Sequence, residues 1–212
     1  MDISLDIGDN LFNFRVGAII KNKNKILVHH EKSKKHVTLI GGRIKSGEDS
    51  ITALKREILE EIGADTEYVK SSSYVENFFE LKGKKYHEIL IVHEMKFCDE
   101  SMYQKEVFKS IEERKKDKLE FFWIDVNNFK DYLFLPQNLL KHLQNNIDEF
   151  EYILNDERIK SRKIKDKLYY NKKLWYNNQV AKMQYFVSIA FLLRERSYYG
   201  TKRKYTWNRK NR

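Results

Sequence analysis

The sequence predicts an α/β fold for residues 1 to about 150, as either an α+β arrangement or an α/β/α sandwich. Seven strand-like segments and two helical segments follow one another there without the regular alternation of a doubly wound sheet. The chain has 212 residues, of which 41% are hydrophobic and 14% aromatic. This length and composition suit a folded protein with one sizeable core and room for an appendage.

The strand predictions depend on short runs rich in β-branched and aromatic residues, bounded by turn residues. The first two runs flank an Asn-Lys-Asn turn, which predicts a hairpin, and the third run leads directly into Gly41 and Gly42. Gly83 separates two later runs in the same way. The predicted strands are residues 12–20, 25–30, 36–40, 66–69, 74–81, 86–97 and 119–124.

Two segments have helical periodicity. In the first, residues 49–62, the side chains of Ile51, Leu54, Ile58 and Ile62 form a stripe about 80° wide, which is enough to hold a helix against a sheet. Asp49 or Ser50 can cap its beginning, and Gly63 can provide the left-handed residue after its end. The second helix is predicted at 137–150, directly after Pro136, the only proline.

The charge of the chain is divided unevenly. Residues 157–212 contain 17 Lys and Arg against 3 Asp and Glu, whereas the first 156 residues contain 24 against 28. We therefore expect a slightly acidic domain over residues 1–150 and a basic C-terminal extension over residues 151–212, helical or partly disordered. Within the extension, helical periodicity covers residues 159–170 and 178–196.

A single cysteine, Cys98, excludes an intrachain disulfide framework and a zinc site of several cysteines. The acidic, mixed start of the chain does not resemble a secretory signal. The longest apolar run, residues 185–193, is too short to span a bilayer. These features fit a cytoplasmic protein without a transmembrane segment.

Glu57, Glu60 and Glu61 cluster on one face of the first predicted helix, roughly 110° from its apolar stripe. Two interpretations are open. A charged face can simply be solvated, although such faces gain from alternating sign and only Lys55 and Arg56 lie nearby. Alternatively, three neighbouring carboxylates can hold a hard divalent cation, which takes oxygen ligands and attracts a phosphate-bearing substrate.

Residues 42–64 resemble the Nudix box, G-x5-E-x7-R-E-U-x-E-E-x-G-U, where U is a bulky aliphatic residue. Eight of the nine defined positions match at the fixed spacing, and Ala64 replaces the last aliphatic residue. The matching residues are Gly42, Glu48, Arg56, Glu57, Ile58, Glu60, Glu61 and Gly63. The resemblance identifies residues 11 to about 150 as a Nudix hydrolase domain, an α/β/α sandwich with a mixed sheet.

The resemblance also implies an activity: Mg²⁺- or Mn²⁺-dependent hydrolysis of a nucleoside diphosphate linked to another group, such as a nucleoside triphosphate, a nucleotide sugar or a dinucleoside polyphosphate. Glu57 and Glu61 are similar to the principal metal ligands of the family. Glu60 is similar either to a further ligand or to the residue that activates water. The Gly41 carbonyl, just before the box, is a candidate backbone ligand.

The resemblance gives two further residues of the box a supporting role. Arg56 is similar to the arginine that holds the glutamates in position, and Glu48 is similar to its partner. An arginine can bind a carboxylate through two hydrogen bonds, which fixes the rotamers of both side chains.

Nudix enzymes often recruit another acid from outside the box, and the candidates here are Glu88, Glu94, Glu106, Glu112, Glu113 and Glu120. We favour Glu88 because it begins a strand that can pass the site, although a solvent-facing role would also explain it. Arg15 is a polar residue in an apolar first strand. It either points into the cleft towards a phosphate or forms a structural ion pair.

The box does not distinguish among substrates, so the extension is the remaining clue. In residues 157–212, basic residues alternate with tyrosine and tryptophan rings, a pattern that binds single-stranded nucleic acid. This supports an alternative function, an RNA-binding protein or an RNA 5′-end pyrophosphohydrolase. The extension has other possible roles: it could keep the protein soluble, contact the acidic domain, form a homodimer or bind a membrane surface.

Overall fold

The computed structural model describes residues 1–113, 115, 118–129, 131–145 and 149–158. The predictions for residues 159–212 lie outside this part of the chain. The described residues form ten strands, two α-helices and a short 3-10 helix at Glu100–Gln104. In chain order, the elements are β1 Ser4–Ile7, β2 Asn10–Asn22, β3 Lys25–Glu31, β4 His36–Leu39, α1 Ser50–Ile62, β5 Thr66–Leu81, β6 Lys84–Phe97, β7 Val107–Lys109, β8 Leu119–Asp125, β9 Leu133–Phe134, α2 Gln137–Asn145 and β10 Glu151–Asp156.

The strands form a mixed sheet in the order β10-β5-β6-β2-β3-β4-β9, with β1 added to β2 and the β7–β8 pair added to β3. The long strand β2 runs parallel to β6 from Asn10 to Ile20 and then pairs with β3 through the predicted hairpin. The pairs β10–β5 and β4–β9 are also parallel. The parallel and antiparallel pairs together make the sheet mixed.

The two helices pack against opposite faces of this sheet. Because side chains alternate along a strand, Ala18 and Ile20 of β2 enter the core cluster that contains Leu54 of α1, whereas Ile19 enters the cluster that contains Leu139 of α2. This layered arrangement of helix, mixed sheet and helix confirms the predicted fold class for the described residues.

The first helix has the predicted ends. Of the two possible caps, Asp49 takes the role: its Oδ1 accepts hydrogen bonds from the amides of Ile51 and Thr52, at 2.9 and 3.0 Å. Gly63 has φ of 68° and donates its amide to the Leu59 carbonyl. Both ends of the glutamate-bearing helix are therefore fixed.

Several boundaries differ from the prediction. The two strands predicted at 66–69 and 74–81 are one strand, β5, in which register shifts near Lys70 and Ser72 absorb a polar stretch that interrupts the apolar pattern. The predicted helix 137–150 is described over Gln137–Asn145; residues 146–148 lie outside the described residues, and residues 149 and 150 are not helical. The short strands β1, β7 and β9 were not predicted, because two to four residues are too few to establish a pattern.

Strand β10 was also missed, and it extends the sheet through Asp156 by pairing with β5. The boundary near residue 150 between the domain and the extension stays a prediction. No helix within the described ranges is long and apolar enough to cross a membrane.

Candidate active site

A cavity of about 640 Å³ lies beside the glutamate face of α1. Its walls come from β2, β3, the loop before α1, α1 itself and the loop before β8. The cavity contains both acidic and basic side chains. The residues that line it include Arg15, His29, Gly41, Gly42, Arg43, Lys45, Arg56, Glu57, Glu60, Glu61, Glu112 and Lys115.

Glu61 is the most deeply buried carboxylate in this cavity, with only 3% of the residue exposed. Its Oε2 atom has no hydrogen-bond partner among the residues that the structure describes, and its Oε1 lies 3.5 Å from the Lys115 ammonium. Burial raises the pKa of the Glu61 carboxyl to about 7, and the negative charge of Glu57 adds to the rise, while Lys115 and Arg15 oppose it. A buried carboxylate oxygen without a partner is costly, so this position needs an explanation beyond folding.

Arg56 organises the other acidic side chains. Its Nε and Nη2 donate to the two oxygens of Glu48 at 2.7 and 2.9 Å, the two-bond geometry expected from the sequence. Its Nη1 donates to Glu57 at 2.7 Å and to Glu60 at 3.1 Å. Its Nη2 also donates to the Arg43 carbonyl at 3.0 Å, which ties α1 to the preceding loop. Arg56 therefore fixes three carboxylates and one backbone carbonyl at once.

The loop before α1 is held against β2. The amides of Val16 and Ala18 donate to the carbonyls of Gly42 and Ile40, at 3.0 and 2.8 Å. A side chain at Gly42 would overlap the carboxylate of Glu57, and one at Gly41, where φ is 151°, would overlap the Val16 carbonyl. Gly41 therefore has no room for a side chain, and a side chain at Gly42 would displace the Glu57 carboxylate.

Arg15 and Glu88, two candidate residues that the sequence does not connect, form an ion pair. Arg15 lines the cavity, and its Nη1 lies 3.6 Å from Glu88 Oε2. Glu88 itself is buried in the sheet and is not among the residues that line the cavity. Of the candidate acids outside the box, Glu112 does line it, where its Oε2 accepts a hydrogen bond from Lys115 at 2.6 Å.

Four basic or histidine residues of the cavity were not predicted as site residues: His29, Arg43, Lys45 and Lys115. Burial, together with the charges of Arg15 and Lys115, lowers the pKa of His29 to about 3, so its imidazole is neutral. His29 lies within a strand beside a second histidine, and Lys115 lies in a charged loop. Neither position carries a sequence signal, because both reach the cavity only through the pairing of β3 with β8 and the loop before β8.

The side chains do not form a finished metal site. Within the described part of the chain, no group of three His, Cys, Asp or Glu side chains is arranged to hold a metal ion. Arg56 holds Glu57 and Glu60, and Lys115 approaches Glu61 and Glu112, so cationic side chains occupy the space between the carboxylates. The donor set itself, carboxylates beside a backbone loop, fits a hard cation, because such ions prefer oxygen ligands. The buried Oε2 of Glu61, which has no partner among the described residues, is the second observation in favour of this fit.

The family model of the NUDIX domain matches residues 11–144, more than half of the 212 residues. The chain belongs to the Nudix family. The match confirms the resemblance drawn from the box, and the chain is accordingly a Nudix pyrophosphohydrolase, an enzyme that hydrolyses pyrophosphate bonds. No curated protein matches this Nudix chain significantly in sequence.

Several solved structures resemble the Nudix chain. A MutT Nudix hydrolase from Burkholderia pseudomallei is 22% identical, with a TM-score of 0.49 over 61% of this chain and 95% of the other. A MutT protein from Methanosarcina mazei is 19% identical, with a TM-score of 0.45 over 65% and 94%. An ADP-ribose pyrophosphatase from Streptococcus suis is 14% identical, with a TM-score of 0.45 over 67% and 98%.

The burial of Glu61 generates a prediction about stability. In the folded protein the pKa of the Glu61 carboxyl, about 7, lies above its ordinary value of 4.5. The folded state therefore binds more protons than the unfolded state between these pH values. The free energy of unfolding of the metal-free protein should therefore fall as pH rises from 5 to 8. In the Glu61→Gln variant, the decrease in the free energy of unfolding between pH 5 and 8 should be smaller by roughly 2 to 3 kcal/mol. Urea unfolding at each pH, with a chelator present, measures it.

The matched control is Glu80→Gln, which makes the same chemical change at an exposed position on β5. It should follow the wild-type pH dependence. Identical pH dependence in the wild type and in Glu61→Gln would contradict the prediction.

Proposed function

We propose that the protein hydrolyses the pyrophosphate bond of a nucleoside diphosphate linked to another group, and that it needs a divalent cation to do so. The observation that supports this most strongly is the nearly buried Glu61 carboxylate, whose Oε2 has no partner within the described residues. Lys115 lies 3.5 Å from the other oxygen of Glu61, but a buried carboxylate oxygen without a partner destabilises the fold. A cation supplied from solution removes that penalty.

Four groups would hold the cation: the carboxylates of Glu57, Glu60 and Glu61, and the backbone carbonyl of Gly41. An all-oxygen donor set of this kind suits Mg²⁺ or Mn²⁺. When bound, the ion supplies positive charge to the pyrophosphate oxygens and makes a water molecule more acidic. The lining glycines let the backbone come close to these side chains, as the overlap at Gly42 indicates.

The remaining residues of the box would position the metal-binding carboxylates and activate a water molecule. Arg56, held by both oxygens of Glu48, fixes the rotamer of Glu57 without taking or releasing a proton. The Glu60 side chain is 50% exposed, so it can reach a water molecule in the cavity and accept a proton from it. Glu48 would therefore act through Arg56, and Glu60 would act on the water directly.

The basic side chains of the cavity would bind the phosphates. Arg15, Arg43, Lys45 and Lys115 line the same space as the glutamates. A diphosphate carries several negative charges, and a cleft that combines a cation site with arginine and lysine side chains attracts such a substrate. A nucleotide is the substrate class that matches the family and this charge arrangement.

We also propose a cytoplasmic location, which the free Cys98 supports.

Substitution of the cavity glutamates tests the proposed chemistry. Glu57→Gln and Glu61→Gln should each lower turnover by about a thousandfold, because each removes several kcal/mol of transition-state stabilisation. The measurement is product release from nucleoside triphosphates, ADP-ribose, dinucleoside polyphosphates and triphosphorylated RNA, with Mg²⁺ and with Mn²⁺. Glu80→Gln is the control and should keep the wild-type rate, and near wild-type turnover in both cavity variants would refute the proposal.

A second candidate function, binding of RNA or of its 5′ end, rests on the sequence of the extension. Replacing Lys163, Lys165 and Lys167 with Gln in the full chain should weaken binding to a single-stranded RNA. The slope of log affinity against log salt should become shallower by about two, because each lysine that contacts a phosphate displaces counterions.

The control for this experiment replaces Lys82, Lys84 and Lys85 with Gln. These exposed lysines lie at the tip of the β5–β6 hairpin, so the control removes the same charge from the domain. The RNA hypothesis requires that this control keep the wild-type affinity and salt slope. Equal losses from both triple variants would mean that net charge alone governs binding.

A further inference from the structure

A continuous row of polar groups crosses five structural elements and ends at the active-site cavity. The amide of Asn138, in the first turn of α2, donates to Asn155 Oδ1 on β10 at 3.2 Å. Asn155 Nδ2 donates to Asn77 Oδ1 on β5 at 2.8 Å, and Asn77 Nδ2 donates to Glu88 Oε1 on β6 at 3.1 Å. The other oxygen of Glu88 faces Arg15 of β2 at 3.6 Å.

Three members of this row are almost completely buried: Asn77, Glu88 and Asn155 have exposures of 6%, 5% and 4%. Buried polar side chains need hydrogen-bond partners, and here each supplies the next. Strand pairing places them side by side, since Asn155 is opposite Asn77 and Asn77 is opposite Glu88. The row is therefore a product of sheet register and not of flexible side chains meeting by chance.

The direction of every hydrogen bond in the row is fixed. A backbone amide can only donate, so Asn155 must turn its oxygen towards Asn138 and its nitrogen towards Asn77. Asn77 must then turn its nitrogen towards Glu88, whose Oε1 accepts the hydrogen bond. Because the Asn77 amide donates to one oxygen of Glu88, the other oxygen is directed towards the arginine.

Arg15 faces two acidic groups. Glu88 lies on the sheet side, whereas Glu61 lies within the cavity that Arg15 also lines. The Nε atom of Arg15 is buried without a partner among the described residues. Without Glu88, the guanidinium would be free to turn towards Glu61 and neutralise it. The position of Arg15 in the cavity wall thus depends on the attraction of a desolvated carboxylate, which is stronger than that of an exposed one.

We propose that Glu88, oriented by Asn77 and Asn155, is a positioning residue that holds Arg15 at the cavity wall to bind a phosphate oxygen of the substrate. The inference rests on the proposed function, since it assigns Arg15 to the diphosphate of that substrate. It replaces the sequence-based interpretation of Glu88 as an extra acid in the cleft. It also gives the last described strand, β10, a part in maintaining the site.

Binding of imidodiphosphate tests this proposal without turnover, because its bridging nitrogen replaces the scissile oxygen. Calorimetry with Mg²⁺ present should give a dissociation constant about tenfold higher for Glu88→Gln than for the wild type, since a charge-assisted contact is lost. Arg15→Gln should show a similar loss. The double variant should lose no more than Arg15→Gln alone, because both changes remove the same interaction.

The matched control is Glu94→Gln. Glu94 lies on the same strand and is paired with Lys21 at 2.8 Å, but it is not among the cavity-lining residues. The Glu94→Gln variant should bind imidodiphosphate as the wild type does. Asn155→Ala, at the far end of the row, should weaken binding in the same direction by about threefold. It provides the decisive comparison if Glu88→Gln does not fold.

The outcomes separate the two proposals. If the wild type binds imidodiphosphate, Arg15→Gln binds it poorly, and folded Glu88→Gln and Asn155→Ala bind it normally, the row only braces the sheet and the positioning role is overturned. Losses that multiply in the double variant would also overturn it. If the wild type itself does not bind imidodiphosphate, the proposed diphosphate site fails, and the positioning role fails with it.

Discussion

The burial of one negative charge beside others is the constraint on which this structure depends. Glu61 belongs to a helix whose apolar stripe must pack on the sheet, and its neighbouring carboxylates come from the same turns. Arg56 compensates Glu48, Glu57 and Glu60, whereas Glu61 has Lys115 at 3.5 Å from one oxygen and, among the described residues, no partner for the other. The fold therefore keeps a carboxylate that destabilises it, as proteins do at sites that act on ligands.

The surrounding elements make that arrangement possible. Asp49 and Gly63 fix where α1 begins and ends, so the glutamates keep their direction. The glycine loop, hydrogen-bonded to β2, brings the backbone close to the carboxylates, and a side chain at Gly42 would overlap that of Glu57. On the other face of the sheet, the buried row from Asn155 to Glu88 reaches Arg15. Acidic and basic groups in the cavity are thus set by register and capping.

Much of the site could be predicted from the sequence because it is local. Residues 42–64 contain the loop, the caps and the glutamates, and a helix repeats every 3.6 residues, so spacing alone indicates which side chains are neighbours. Contacts between distant segments were less accessible. Glu88 was expected near the cleft and instead pairs with Arg15 behind it, and Lys115 reaches Glu61 across 54 positions. Such contacts depend on strand order, which a single sequence does not state.

The central claim is that Glu61 belongs to a site for a divalent cation. Titration with Mn²⁺, followed by the electron paramagnetic resonance signal of the free ion, tests it directly on wild-type and Glu61→Gln protein at pH 7.5. The account predicts saturable binding to the wild type. For the variant it predicts a loss of affinity at least as large as the roughly 10- to 100-fold caused by removing an outer-shell partner. Equal Mn²⁺ affinity in both proteins, or none in either with a nucleotide present, would contradict it.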